Sequence, residues 1–121
     1  MGRFKTLLLA HHGGDNHAIK VVVRQFSENV TRRTDGQIAI ANVTNSSLGN
    51  LGELLRLVRE GTADMALPPY DRLGPNAPRF GCVSMPFVFD DAPHADRVLD
   101  SAFMNWARPG LEALDLILLG S

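Results

Sequence analysis

Apolar residues in this chain follow two rhythms, and the switches between them predict its elements. Phe4 to Ala10 is a short, nearly continuous apolar run, the pattern of a strand buried on both faces. The period then lengthens: Ile19, Val22, Val23, Phe26 and Val30 recur at the spacing of one helical face, with Lys20, Arg24, Glu28 and Arg32 elsewhere. Asp15 or Asn16 is placed to cap that helix and Gly36 to close it. Gln37–Val43 is rich in β-branched residues and reads as a second strand. Asn50 and Glu53 form a variant capping box ahead of Leu51, Leu54, Leu55 and Val58, a helix that Gly61 ends. Asp64–Leu67 reads as a third short strand, followed by a proline-rich surface loop from Pro68 to Pro78.

Met85–Phe89 is a compact apolar segment, and Asp91 with Pro93 marks a helix start. Helical spacing then runs through Ala95, Val98, Leu99, Ala102, Phe103 and Trp106 to Pro109. Leu114–Leu119 looks like a last strand. The aromatic and methionine residues Met65, Met85, Phe87, Phe89, Phe103 and Trp106 fall at core spacing, so most are expected to pack. Strands alternating with helices predict an α/β fold: a mostly parallel sheet with helices on both faces, in a single domain. In such sheets, ligands gather where strand carboxyl ends meet helix starts.

Composition narrows the function. With 12 Lys and Arg against 13 Asp and Glu, a net charge of −1 leaves no excess of cations for a phosphate backbone or membrane surface, so nucleic acid is not an expected partner. The lone Cys82 excludes an intrachain disulfide and a cysteine-built zinc site. The apolar stretch near the start is shorter than the ~7–15 residues of an export leader and reads as a strand of the mature fold.

Candidate chemistry concentrates in His11–His17, H-H-G-G-D-N-H, at the first strand–helix junction. A metal site would use His11, His12, His17 and Asp15, but His11 and His12 are adjacent and leave a strand on opposite sides. A phosphate cradle would use the glycines, yet the Lys and Ser/Thr partners of such loops are missing. Two further readings stay open, a plain turn with a capped helix and the rim of a pocket for a small polar solute. No nucleophile–base arrangement appears, and Asp90 and Asp91 suit a helix cap better than acid/base work. Arg72 and Arg79 flank the proline-rich segment and could meet an anion.

L-L-L-A-H-H-G, N-S-S-L-G-N, R-E-G-T-A-D-M-A-L, M-P-F-V-F-D-D-A-P-H-A and R-V-L-D, in that order, resemble the N-terminal portion of the periplasmic solute-binding proteins of TRAP transporters, the DctP-like receptors. The resemblance covers essentially the whole chain. It implies one lobe of a periplasmic-binding-protein-like (type II) fold, truncated before a second lobe, in a hinge-closing receptor that binds a small organic acid without catalysis. The acid would pass to TRAP membrane permease subunits, and the location implied is periplasmic; no cofactor or metal is implied. Carried over by position, the solute-contacting wall would be His11, His12, Gly13 and Asp15, then Pro69, Tyr70 and Arg72, with Phe87 beneath. Pro68-Pro69 departs from the small or polar residues many relatives place there. The arginine that clamps the ligand carboxylate in the family lies in the second lobe, beyond Ser121. With the returning segment absent, one sheet edge and some apolar surface would stay uncovered, which implies a homo-oligomer, with exchange of elements as one route. Two rivals remain at this point: a small histidine-based metal-dependent enzyme, and a self-assembling half-domain with no ligand.

Overall fold

The computed structural model describes residues 3–11, 18–44 and 53–120. The chain forms two compact units, Met1–Pro68 and Pro69–Ser121. The first contains β1 (Lys5–His11), α1 (Ala18–Arg33), β2 (Ile38–Thr44), α2 (Leu54–Arg59) and β3 (Met65–Leu67). The strands make one parallel sheet in the order β2-β1-β3.

This order explains the composition of β1. Its two neighbours are reached by crossovers running in opposite directions, and right-handed crossovers then put the two helices on opposite faces of the sheet. The central strand is thereby covered on both sides, as its near-continuous K-T-L-L-L-A-H requires. On one face, Ala10 clusters with Leu54, Leu57 and Ala63, and Leu8, Val58 and Ala66 pack against them. On the other face lies Leu9, whose register partner is Asn42. The Asn42 amide donates to Ser27 Oγ of α1 at 3.1 Å, so α1 covers that side, one turn beyond its buried Val23.

Only part of the apolar stripe of α1 is covered. Val23 is buried, Ile19 and Val30 are half-buried, and Val22 and Phe26 are exposed, at odds with the full core face that their spacing predicts. The reason is width. The three described strands, about 4.8 Å apart, span ~10 Å, about one helix diameter, so one flank of the stripe has no described strand beneath it.

Helix ends in this unit follow local chemistry. At α1 the Gly36 N–H reaches Thr31 O at 2.8 Å and the Asp35 N–H reaches Arg32 O at 3.3 Å, with both residues left-handed (φ 77° and 51°). Thr34 ties this turn to β2, its hydroxyl accepting from the Ile38 N–H at 3.1 Å. Gly61, at φ 80°, ends α2 in the same way. Glu53 sits at the start of α2 without a side-chain cap bond, and Asn50 of the expected capping box lies outside the described residues. Asp64 precedes β3 and clamps β1 through its backbone and side chain: its N–H donates to Leu8 O at 2.9 Å, and its Oδ2 accepts from the Leu8 N–H at 2.8 Å.

The second unit is helical. It comprises α3 (Tyr70–Leu73), α4 (Pro78–Gly81), a short 3₁₀ turn at Cys82–Ser84, α5 (Ala92–Leu99) and α6 (Ala102–Glu112). The proline-rich stretch is therefore two helical turns rather than a loop, organised around buried Leu73, Ala77 and Phe80. Phe80 sits between Tyr70 at 5.5 Å and Phe103 at 5.8 Å, the latter edge-to-face, and Trp106 lies 6.0 Å from Phe103. Arg79 places its guanidinium 4.9 Å above the Trp106 ring and donates to Trp106 O, so this arginine is engaged in packing.

The single long helix expected from Asp91 to Pro109 is two. It breaks at Asp100–Ser101, where the Ser101 hydroxyl donates to Val98 O at 3.0 Å and so competes with the helical ladder. The cap at Asp91 forms as expected: its carboxylate accepts the His94 N–H at 2.7 Å. The last expected strand, Leu114–Leu119, is not in the sheet. Asp115, at φ 60°, belongs to the turn that ends α6, with the Leu116 N–H on Leu111 O at 3.0 Å, and no described strand pairs with residues 116–120. Buried Leu111 and Leu116 supply the apolar contact that accompanies such a turn.

Candidate functional site

Parallel pairing brings all three strands of the first unit to an end together. His11 stands opposite Thr44 on one side and Leu67 on the other, so the last residues of β1, β2 and β3 form a row at the sheet's carboxyl edge. This is the position where open α/β sheets bind ligands. His11, at 3% exposure, is the buried polar residue of the described core, and Thr44 is half-buried. An imidazole and a hydroxyl in register offer two hydrogen-bonding groups at one edge. His12, Gly13, Asp15 and His17 of the same loop lie outside the described residues. Among the described residues, no three His, Cys, Asp or Glu side chains converge to hold a metal ion, and no helix is long and apolar enough to cross a membrane.

The remaining expected contacts belong to the second unit. Pro69, in extended geometry (φ −63°, ψ 149°), precedes α3 and fixes its start. Tyr70 and Arg72 follow on that helix. The Tyr70 ring packs on Phe80 and Phe103, and its hydroxyl points to Met104 Sδ at 3.9 Å, a weak acceptor. Arg72 is exposed. Phe87 departs from its expected place: it is 102% exposed and left-handed, with φ 61°, so it neither packs in this unit nor lies beneath other side chains. Met85 is likewise 61% and Trp106 48% exposed, whereas Phe103 is buried and Met65 and Phe89 are half-buried. A bulky residue in the left-handed region costs about 1–2 kcal/mol, which the packing of this unit does not repay.

Thr44 and Leu67 escaped notice in the sequence because neither carries a motif. What would have found them is the register of a parallel sheet, which places every strand's last residue beside that of its neighbour.

A family profile described as bacterial extracellular solute-binding protein, family 7 (DctP), matches residues 9–120. The chain belongs to that family. Among relatives, the 2,3-diketo-L-gulonate-binding periplasmic protein YiaO of Escherichia coli is 27% identical over 99 residues, 82% of this chain and 30% of YiaO. A solute-binding protein of Roseobacter denitrificans is 30% identical over 93 residues, 77% of this chain and 28% of that protein. Its crystal structure, with L-galactonate bound, superposes with a TM-score of 0.82 over 93% of this chain and 37% of its own. The TRAP periplasmic solute-binding protein of a Polaromonas species, bound to D-erythronate, gives 0.86 at 26% identity, covering 96% of this chain and 38% of that one. The DctP family thus accounts for the parallel sheet with its flanking helices, and this chain spans about a third of the length of the relatives it matches. These relatives are binding proteins, which sets the chain apart from enzymes by family membership.

Proposed function

We propose that this chain is the solute-binding component, or one lobe of it, of a TRAP transporter, binding a small organic acid in the periplasm for transfer to membrane permease subunits. The observation that carries the reading is the family match over residues 9–120, which includes relatives crystallised with L-galactonate and D-erythronate. The periplasmic location is supported by the name of the Escherichia coli relative. Binding needs convergent donors and no nucleophile, and His12, Asp15 and His17 of the rival histidine-based enzyme lie outside the described residues.

On this reading, His11 contacts the solute from the carboxyl edge of the sheet, with His12, Gly13 and Asp15 on the loop that continues from it. Pro69, Tyr70, Arg72 and Phe87 take the same role in the second unit. Tyr70 offers a hydroxyl whose contact among the described residues is a thioether, Arg72 a guanidinium suited to a carboxylate, and Phe87 an apolar face for a sugar-acid chain. Thermal melting with galactonate, erythronate, succinate and the neutral sugar galactose tests this. A ligand at one hundred times its Kd adds about 2.7 kcal/mol, so a bound acid raises the midpoint clearly and galactose does not. Identical midpoints with every acid at millimolar concentration refute binding by this chain.

A further inference from the structure

Among the described residues, no strand pairs with the outer edge of β2. The Lys5 N–H donates to Gln37 O at 2.8 Å while Lys5 stands in register with Ile38. Ladder alternation then turns the N–H and C=O of Ala39 and Ala41 toward β1, and those of Ile40 and Asn42 outward. Edge strands in natural proteins are usually blunted by charge, proline or a bulge. From Ile38 to Thr44, β2 carries no charge and no proline, and its seven residues pair with β1 without interruption. The opposite edge is different, because β3 is three residues long and runs directly into Pro68 and Pro69.

The second unit holds the complementary piece. Leu116–Gly120 is an uncharged segment, L-I-L-L-G, whose start is set by the turn at Asp115. Leu116 is buried, Ile117 is 77% exposed, Leu118 is half-buried and Leu119 is 75% exposed. That alternation is a strand's, yet no described strand pairs with it. The charges also match: the first unit carries eight Lys and Arg against six Asp and Glu, the second four against seven.

We infer that Leu116–Gly120 of a second copy of this chain adds to the outer edge of β2, and that the exchange is reciprocal in a two-fold dimer. The occupant is a second copy because one chain carries both halves of the contact, and a two-fold axis uses each of them twice. Pairing β2 with β2 would set two positively charged units together and leave Leu116–Gly120 without a ladder. The inference stands apart from the solute reading, since Ile40, Ile117 and Leu119, the residues it is tested on, are not proposed ligand contacts.

Light scattering after size exclusion, over a range of concentrations of the 121-residue chain, tests it. The expected mass is twice that of the chain, and the double variant Ile117→Lys/Leu119→Lys halves it while the circular dichroism of the fold is retained, both side chains being exposed. Ile40→Pro removes an outward N–H from the accepting edge and has the same effect on mass. Hydrogen exchange supplies the independent readout: the amides of Ile40, Asn42, Ile117 and Leu119 slow together as concentration rises. A monomer at every concentration overturns the proposal, as does a dimer indifferent to the two lysines. Protection of the Leu119 amide that does not vary with concentration also overturns it, because the segment is then paired within its own chain.

Discussion

The two units of this chain are held together by different physics. In the first, a backbone ladder sets the geometry and small aliphatic side chains fill the space around it; Leu54 and Ala10, each at 0% exposure, meet across one face of the sheet. In the second no ladder exists among the described residues, and the organising feature is a set of rings, Tyr70, Phe80, Phe103 and Trp106, whose edges and faces bring three helices together, α3, α4 and α6. A ladder fixes register, so it delivers chosen side chains to one edge, and His11 and Thr44 arrive there because pairing puts them there. A ring cluster fixes only proximity, which suits the anchoring of a short helix such as α3.

The largest test of this contrast is Phe80→Ala. Loss of a fully buried ring costs about 3–5 kcal/mol, and in denaturant unfolding followed by near-ultraviolet dichroism the second unit's rings should lose their fixed environment first. Leu54→Ala should cost about 2–5 kcal/mol and weaken exchange protection across β1. If both variants weaken the same amides equally, the units are one cooperative block and the contrast fails. Smaller effects come from the caps. Asp91→Ala removes the acceptor of the His94 N–H and should cost about 1 kcal/mol, read as a lower urea midpoint with an unchanged slope. Gly61→Ala places a Cβ at φ 80° and should cost about as much, although no neighbouring atom lies within 4 Å, so the penalty is conformational. The smallest concerns Arg56, whose guanidinium pKa is held above its ordinary value first by the hydrogen bond it donates to Glu60 and then by that residue's charge. A raised pKa contributes stability wherever the group is protonated in both states, and an arginine is so at every working pH. Its own titration therefore gives no slope near neutrality, and Glu60→Gln should leave the unfolding midpoint within experimental error.

Most of the first unit was legible in advance. The run Phe4–Ala10, the β-branched Gln37–Val43 and the glycines at 36 and 61 each carry a local preference that the fold obeys, and tertiary contact only shifted the ends by a residue or so. The second unit was less so. Its proline-rich stretch reads as a loop because Pro69, Pro75 and Pro78 each break a long helix, but a proline is compatible with a helix start, and two short helices use two of them in that way. The candidate site was half legible: the histidine at the end of β1 could be named, while its partners Thr44 and Leu67 could not, since register depends on pairing between segments far apart in the chain.

What the sequence settled alone is what depends on neighbours within a turn or two: which segments are helix or strand, where Gly61 and Asp91 stop and start them, and the ordered motifs that mark the family. What only the tertiary structure decided is what depends on supply across space. Val22 and Phe26 stay exposed because the sheet is too narrow to cover them, and Phe87 because nothing in its unit packs on it. Leu116–Gly120 pairs with no described strand because a ladder needs an edge supplied from elsewhere, which a segment's own residues cannot provide.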